Sequence, residues 1–155
     1  MDNNDIFRRL RYTLGNNDFK MAEVFSFADE PIKQENVTPW LKKDDDNAFV
    51  AMPDVMLATF LNGLINQKRG KKDGPQPTPE KELNNNIVFR KLRIAFDLQS
   101  DDILKLYRLI GKEISAHELS AFFRKPSSGK YRECNDQYLR YFLSGLQESL
   151  RPSEK

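Results

Sequence analysis

A chain of 155 residues with 39% hydrophobic and 31% charged content is long enough for one well-buried domain or two small ones sharing a core, which excludes a disordered or low-complexity protein. No apolar run approaches the roughly 18 residues that span a bilayer, the acidic start MDNND lacks the regions of a secretory leader, and the single Cys134 excludes an internal disulfide, so a reducing cytoplasm is expected. The net charge of +2 is uneven, at −4 over residues 1–67, +2 over 68–83 and +4 over 84–155, a pattern that steers anionic partners to the second half, joins molecules head to tail, or is simple drift of two solvated surfaces.

The segment NNDIFRRLR at residues 3–11 returns as NNIVFRKLR at 85–93, and sliding the chain by 82 positions aligns 3–69 with 85–151 without a gap. Identities fall at 15 of 67 positions, including Asn3, Asn4, Arg8, Arg11, Asp54, Gly63 and Leu64. A period of this length marks a tandem duplication and governs the fold. Helical periodicity dominates both copies, which predicts four helices in each.

The first helix is expected to start at an Asn3 or Asn4 cap and run through Leu14. Ile6, Phe7, Leu10 and Leu14 then share one apolar arc with Arg11 at its edge, and Val88, Phe89, Leu92, Phe96 and Arg93 repeat that wheel. The second helix is placed at 18–28 and at 100–110, where SDD supplies a cap and first-turn carboxylates, and Asp29 or Gly111 ends it. A third helix follows Ile32 and Ile114, with Ser115 and Glu118 forming a capping box and Trp40, Leu41, Phe122 and Phe123 entering the core. Acidic DDDNA in one copy and PSSGK in the other read as loops.

The fourth helix spans about 53–67, with Pro53 in its first turn, and about 135–150. Gly63 and Gly145 lie mid-helix, where glycine costs about 1 kcal/mol against alanine, so close approach by a neighbouring helix is expected there. The resulting organisation is all-α: a helical repeat at 1–67, an exposed basic Pro/Gly linker at 68–83, a second repeat at 84–151 and a disordered tail at 152–155. The two pseudo-symmetric four-helix repeats are expected to pack into one globule through their glycine-bearing fourth helices.

The paired first-helix segments, FLNGL and FLSGL, the KRGK that opens the linker and the run RECNDQYLRYFL together resemble the YehS-like family of uncharacterised bacterial proteins, over essentially the whole chain. The resemblance implies a tandem copy of a small domain of unknown function, with no catalytic residues to carry over.

Catalysis needs convergent groups, but the lone His117 and Cys134 align with Glu35 and Met52 in the other copy. His117 is expected to be exposed in a first helical turn, and Cys134 to be a small semi-apolar residue before the fourth helix. No metal-ligand spacing, calcium loop or phosphate-binding glycine pattern occurs, so no enzyme activity and no cofactor are expected.

Repeated arginines are better candidates: Arg8 with Arg11, and Arg90 with Arg93, stand at i and i+3 and suit a phosphate. The competing reading pairs Arg11 with Asp54 and Arg93 with Asp136, the acidic position kept in both copies. Residues 100–125 also have the outline of a helix-turn-helix, with Ser115, Ala116, His117 and Ser120 toward bases, though polar His117 and Ser120 fall where that motif buries apolar side chains. The expected role is a non-enzymatic binding or adaptor module for a protein partner or anionic ligand, the alternative being nucleic-acid binding. The expected site is Arg124, Lys125, Lys130 and Arg132 in the second repeat, with Lys68, Arg69, Lys71 and Lys72 of the linker, and any ligand is expected to be anionic.

Overall fold

The computed structural model describes residues 1–152, and among them regular structure is entirely helical. The chain divides into two compact units, Met1–Leu83 and a second that begins at Asn84. The first holds α1 (Asn3–Leu14), α2 (Asp18–Ser26), the short α3 (Gln34–Val37) continued by a 3₁₀ turn (Thr38–Leu41), and α4 (Asp54–Arg69). The second holds α5 (Asn85–Ala95), α6 (Ser100–Leu109), α7 (Ala116–Phe122) and α8 (Asp136–Leu150). The tail expected beyond Pro152 lies outside the described residues.

Helix starts correct the expectation at several points. Asp2, not Asn3 or Asn4, caps α1: its side chain accepts from Asp5 N at 2.8 Å while Asp5 accepts from Asp2 N at 3.3 Å. In α5 the cap is Asn84, one residue before the repeated pair. Gln99 rather than Ser100 precedes α6, so Ser100 is its first helical residue, and Pro53 likewise sits just before α4. Ser115 does cap α7, accepting from Glu118 N at 3.0 Å, but Glu118 takes the Ser115 hydroxyl, so the capping box forms only on one side.

Two left-handed positions close the first two helices of each repeat, with the residue types exchanged between copies. Gly15 (φ 66°) matches Asp97 (φ 53°), and Asp29 (φ 58°) matches Gly111 (φ 73°). Glycine meets no Cβ penalty there, and aspartate is among the few residues that tolerate it.

Each core is built on one aromatic quartet at equivalent positions. Phe7, Phe25, Trp40 and Phe60 form it in the first unit, with Phe7 edge-on to Phe60 at 4.9 Å; in the second Phe89 meets Phe122 and stacks on Phe142 at 4.2 Å, and buried Tyr107 stands at the position of Phe25 with its ring against Tyr141. Burying each such ring stabilises by about 1.5–3 kcal/mol. Gly63 and Gly145 explain the crossing of the second and fourth helices in each repeat. A Cβ on Gly63 would overlap the Val24 carbonyl, and one on Gly145 would sit 2.5 Å from Leu106 O. The close neighbour was expected, but the nearest atoms belong to the second helix of the same repeat rather than to the other repeat's fourth.

The segment expected as an exposed linker is tied to the first unit. α4 takes Lys68 and Arg69 into its last turn, Lys71 pairs with Asp29, Gln76 accepts from Asn66 Nδ2 at 2.7 Å, and Leu83 N donates to Asp54 at 2.8 Å. Among the described residues no helix is long and apolar enough to cross a membrane.

Candidate functional site

The repeated asparagines hold the loop between the third and fourth helices. Asn4 Nδ2 donates to Trp40 O (3.1 Å) and Val50 O (2.9 Å), while its Oδ1 accepts from Met52 N (3.0 Å). Asn86 does the same at equivalent positions, to Phe122 O (3.0 Å) and Arg132 O (2.9 Å) and from Cys134 N (2.9 Å). A primary amide puts two donors and an acceptor on one short side chain, which neither a carboxylate nor a hydroxyl can do. Both are buried, at 3% and 7% exposure, so these bonds satisfy groups that would otherwise be costly. Asn3 adds bonds to Met52 O (2.9 Å) and Asp54 Oδ1 (2.7 Å), and Asn85 to Cys134 O (3.0 Å) and Asp136 Oδ1 (2.8 Å).

The expected ion pairs are therefore corrected. Asp54 and Asp136 receive the neighbouring asparagines, and the arginines turn to the start of the next helix. Arg11 lies 3.7 Å from Asp18; Arg93 donates to Leu98 O (3.1 Å) and to Ser100 Oγ (3.3 Å), the counterpart of Asp18, and rests 4.6 Å above the Phe123 ring. Arg8 pairs with Asp5 and donates to Lys42 O at 2.8 Å. These contacts make Arg8, Arg11 and Arg93 joints between segments. Arg90 is exposed, and its charge reaches Tyr131: partial burial and then the neighbouring Glu133 and Cys134 push that phenol's pKa up, while Arg90 opposes them.

The two clamped loops share a frame in further detail. Val50 N donates to Pro39 O and Ala48 N to Asp46 Oδ1; at the equivalent positions Arg132 N donates to Ala121 O and Lys130 N to Ser128 Oγ. Their charges differ. The first displays Lys42 and Lys43 against Asp44, Asp45 and Asp46, whereas the second displays exposed Arg124, Lys125, Lys130 and Arg132 with no acid between them. Among the described residues none of those four cations holds a carboxylate. Lys68, Arg69, Lys71 and Lys72 belong to the first unit and are not part of this loop; Lys71 is already paired.

His117 is exposed in the first turn of α7, and Cys134 is buried just before α8, where burial and then the Asp136 charge push its thiol up to about 12. Tyr107, buried beneath, donates its hydroxyl to Tyr138 O at 2.6 Å. Among the described residues no three His, Cys, Asp or Glu converge as metal ligands. The helix-turn-helix outline is not kept either, since residues 110–115 separate α6 from α7 where that motif has a turn of three or four residues. An open cleft of about 440 Å³ lies there instead, lined by Arg108, Glu113, Ser115 and Glu118 among others.

The family described as "Protein of unknown function (DUF1456)" matches residues 3–70 and again residues 85–151, one copy on each helical repeat. The chain belongs to this family. It is 44% identical over 147 residues to "Uncharacterized protein YehS" of Escherichia coli (strain K12), with 94% of each chain covered. No solved structure matches it. The DUF1456 boundaries coincide with the two asparagine-clamped repeats, so the family's unit is one four-helix repeat. What sequence reasoning missed at the site was the role of Asn4 and Asn86: they were visible as retained identities, but read as caps.

Proposed function

We propose that the protein is a non-enzymatic binding or adaptor module whose second repeat presents the recognition surface, the loop between α7 and α8, to a partner carrying clustered negative charge. The observation that carries this reading is the pair of loops: one hydrogen-bonded frame, closed by Asn4 or Asn86, bears aspartates in the first repeat and four unpaired exposed cations in the second. A clamped loop loses little entropy when it binds, so its charges act from preset positions. Nucleic acid is the second reading, favoured by half-buried Tyr131 set among Arg90, Lys130 and Arg132, where an aromatic face and cations serve bases and phosphates together.

Binding of a fluorescent oligonucleotide and of poly-glutamate at low and moderate salt tests both. The wild type should retain at least one of them, with affinity falling steeply as salt rises. Lys130→Glu with Arg132→Glu should abolish that binding and leave the melting temperature nearly unchanged, because exposed loop charges contribute little to stability. Affinity that survives both the double reversal and the salt would contradict the electrostatic reading.

A further inference from the structure

We propose that the first repeat holds a second, independent site: a cavity for a small organic cation, an ammonium or guanidinium group on a short apolar stem. The cavity measures about 360 Å³ and lies between the end of α2, the middle of α4 and the segment 76–79 that crosses them. That volume is within the range of small-ligand pockets. Pro77, Pro79 and Ala28 supply apolar wall, buried Thr59 and Asn62 supply polar floor, and Glu30 stands exposed at the lining. Thr59 spends its one hydroxyl donor on Val55 O at 2.7 Å, which leaves its oxygen lone pairs as acceptors. Asp29, the other carboxylate of the lining, is paired with Lys71, so Glu30 is the charge left to meet a ligand.

The sister repeat indicates what fits. Glu30 and Thr59 correspond to Lys112 and Tyr141, and there the Lys112 ammonium lies 5.2 Å from the centre of the Tyr141 ring. Tyr141 also packs edge-on against Tyr107. In the second repeat, then, a butyl-ammonium side chain and an aromatic ring fill the space between these two positions. In the first repeat both fillers are missing, and the position that carries the ammonium has become a carboxylate. A lysine-like or arginine-like group from outside would restore the apolar stem, and Glu30 would receive its charge. The net charge of −2 over residues 1–83, the sum of −4 over 1–67 and +2 over 68–83, favours a cation in the same sense. This departs from the expectation that any ligand is anionic, and it does not depend on the basic loop.

Amide chemical-shift mapping of the full chain with n-butylammonium, n-butylguanidinium and neutral n-butanol tests the site. The two cations should shift amides at 28–30 and 59–62 and that of Thr78, and n-butanol should bind more weakly. Glu30→Gln removes only an exposed charge and should weaken the cations roughly tenfold. Thr59→Tyr, which copies the sister repeat, should abolish their shifts. Shifts confined to other surfaces, equal affinity for n-butanol, or cation affinity unchanged in Glu30→Gln would each overturn the proposal.

Discussion

At the residue scale, the chain illustrates how retained identities report constraint without reporting its cause. Asn3, Asn4, Arg11 and Asp54 all recur one period later, and charge complementarity suggested joining the arginine to the aspartate. The aspartate instead takes an asparagine, and the arginine takes Asp18 in one copy and Ser100 in the other. Because that partner changes type between copies, no count of identities exposes it. The caps were misread for a related reason: DNN and NNN offer several good caps in succession, and only burial of the inner face selects which amide turns toward the loop. Cys134 was placed correctly by its lack of a matching nucleophile or base, and the structure adds its chemistry. A thiol raised from 9.0 to about 12 by burial is neutral at working pH, with a thiolate fraction roughly a thousandfold below that of a free cysteine. Iodoacetamide at mildly alkaline pH should therefore leave the native protein unmodified over a period that fully alkylates the denatured chain; equal rates in the two states would refute the buried assignment.

At the scale of elements, helix number and order were legible because apolar periodicity is strong, whereas the glycine contacts were only half legible. A mid-helix glycine retained twice announces a close neighbour, but the sequence does not say which helix it is. Val24 O and Leu106 O answer that, each on the second helix of its own repeat. Alanine at either position gains about 1 kcal/mol of helix propensity, yet its methyl must push a backbone carbonyl aside, and overpacking of this kind costs about 1–3 kcal/mol or more. Gly63→Ala, with the deeper overlap, should therefore destabilise by about 2 kcal/mol or more in denaturant unfolding, and Gly145→Ala by less. Gly129→Ala, with nothing within 4 Å of its Cβ, is the neutral control. If Gly63→Ala is as stable as the control, the crossing is looser than the geometry describes. The segment 68–83 was the element least legible in advance. Its prolines, glycines and lysines read as an exposed, partly extended linker, and most of it is exposed, while Gln76, Lys71 and Leu83 tie it to the first unit through side-chain and backbone bonds that composition does not encode.

On the scale of the whole molecule, duplication has produced two copies of one frame with different surfaces. In each copy the frame is kept by four core aromatics, the fourth-helix glycine and the asparagine clamp, and the surfaces diverge at the loop charges and at the Glu30–Thr59 and Lys112–Tyr141 pairs. Such divergence changes the surface of a repeated domain while its fold stays constant. In the proposed function the clamp, and not charge alone, makes the second loop a recognition surface. Asn86→Ala tests it most directly, because it removes the clamp and alters no charge. Hydrogen exchange and polyanion affinity should be measured on the same variant. Amides from Arg124 to Cys134 should lose protection while the α8 core amides keep theirs, and affinity should fall roughly tenfold with the salt dependence unchanged. A variant whose loop loses protection but whose affinity equals that of the wild type would contradict this role of the clamp.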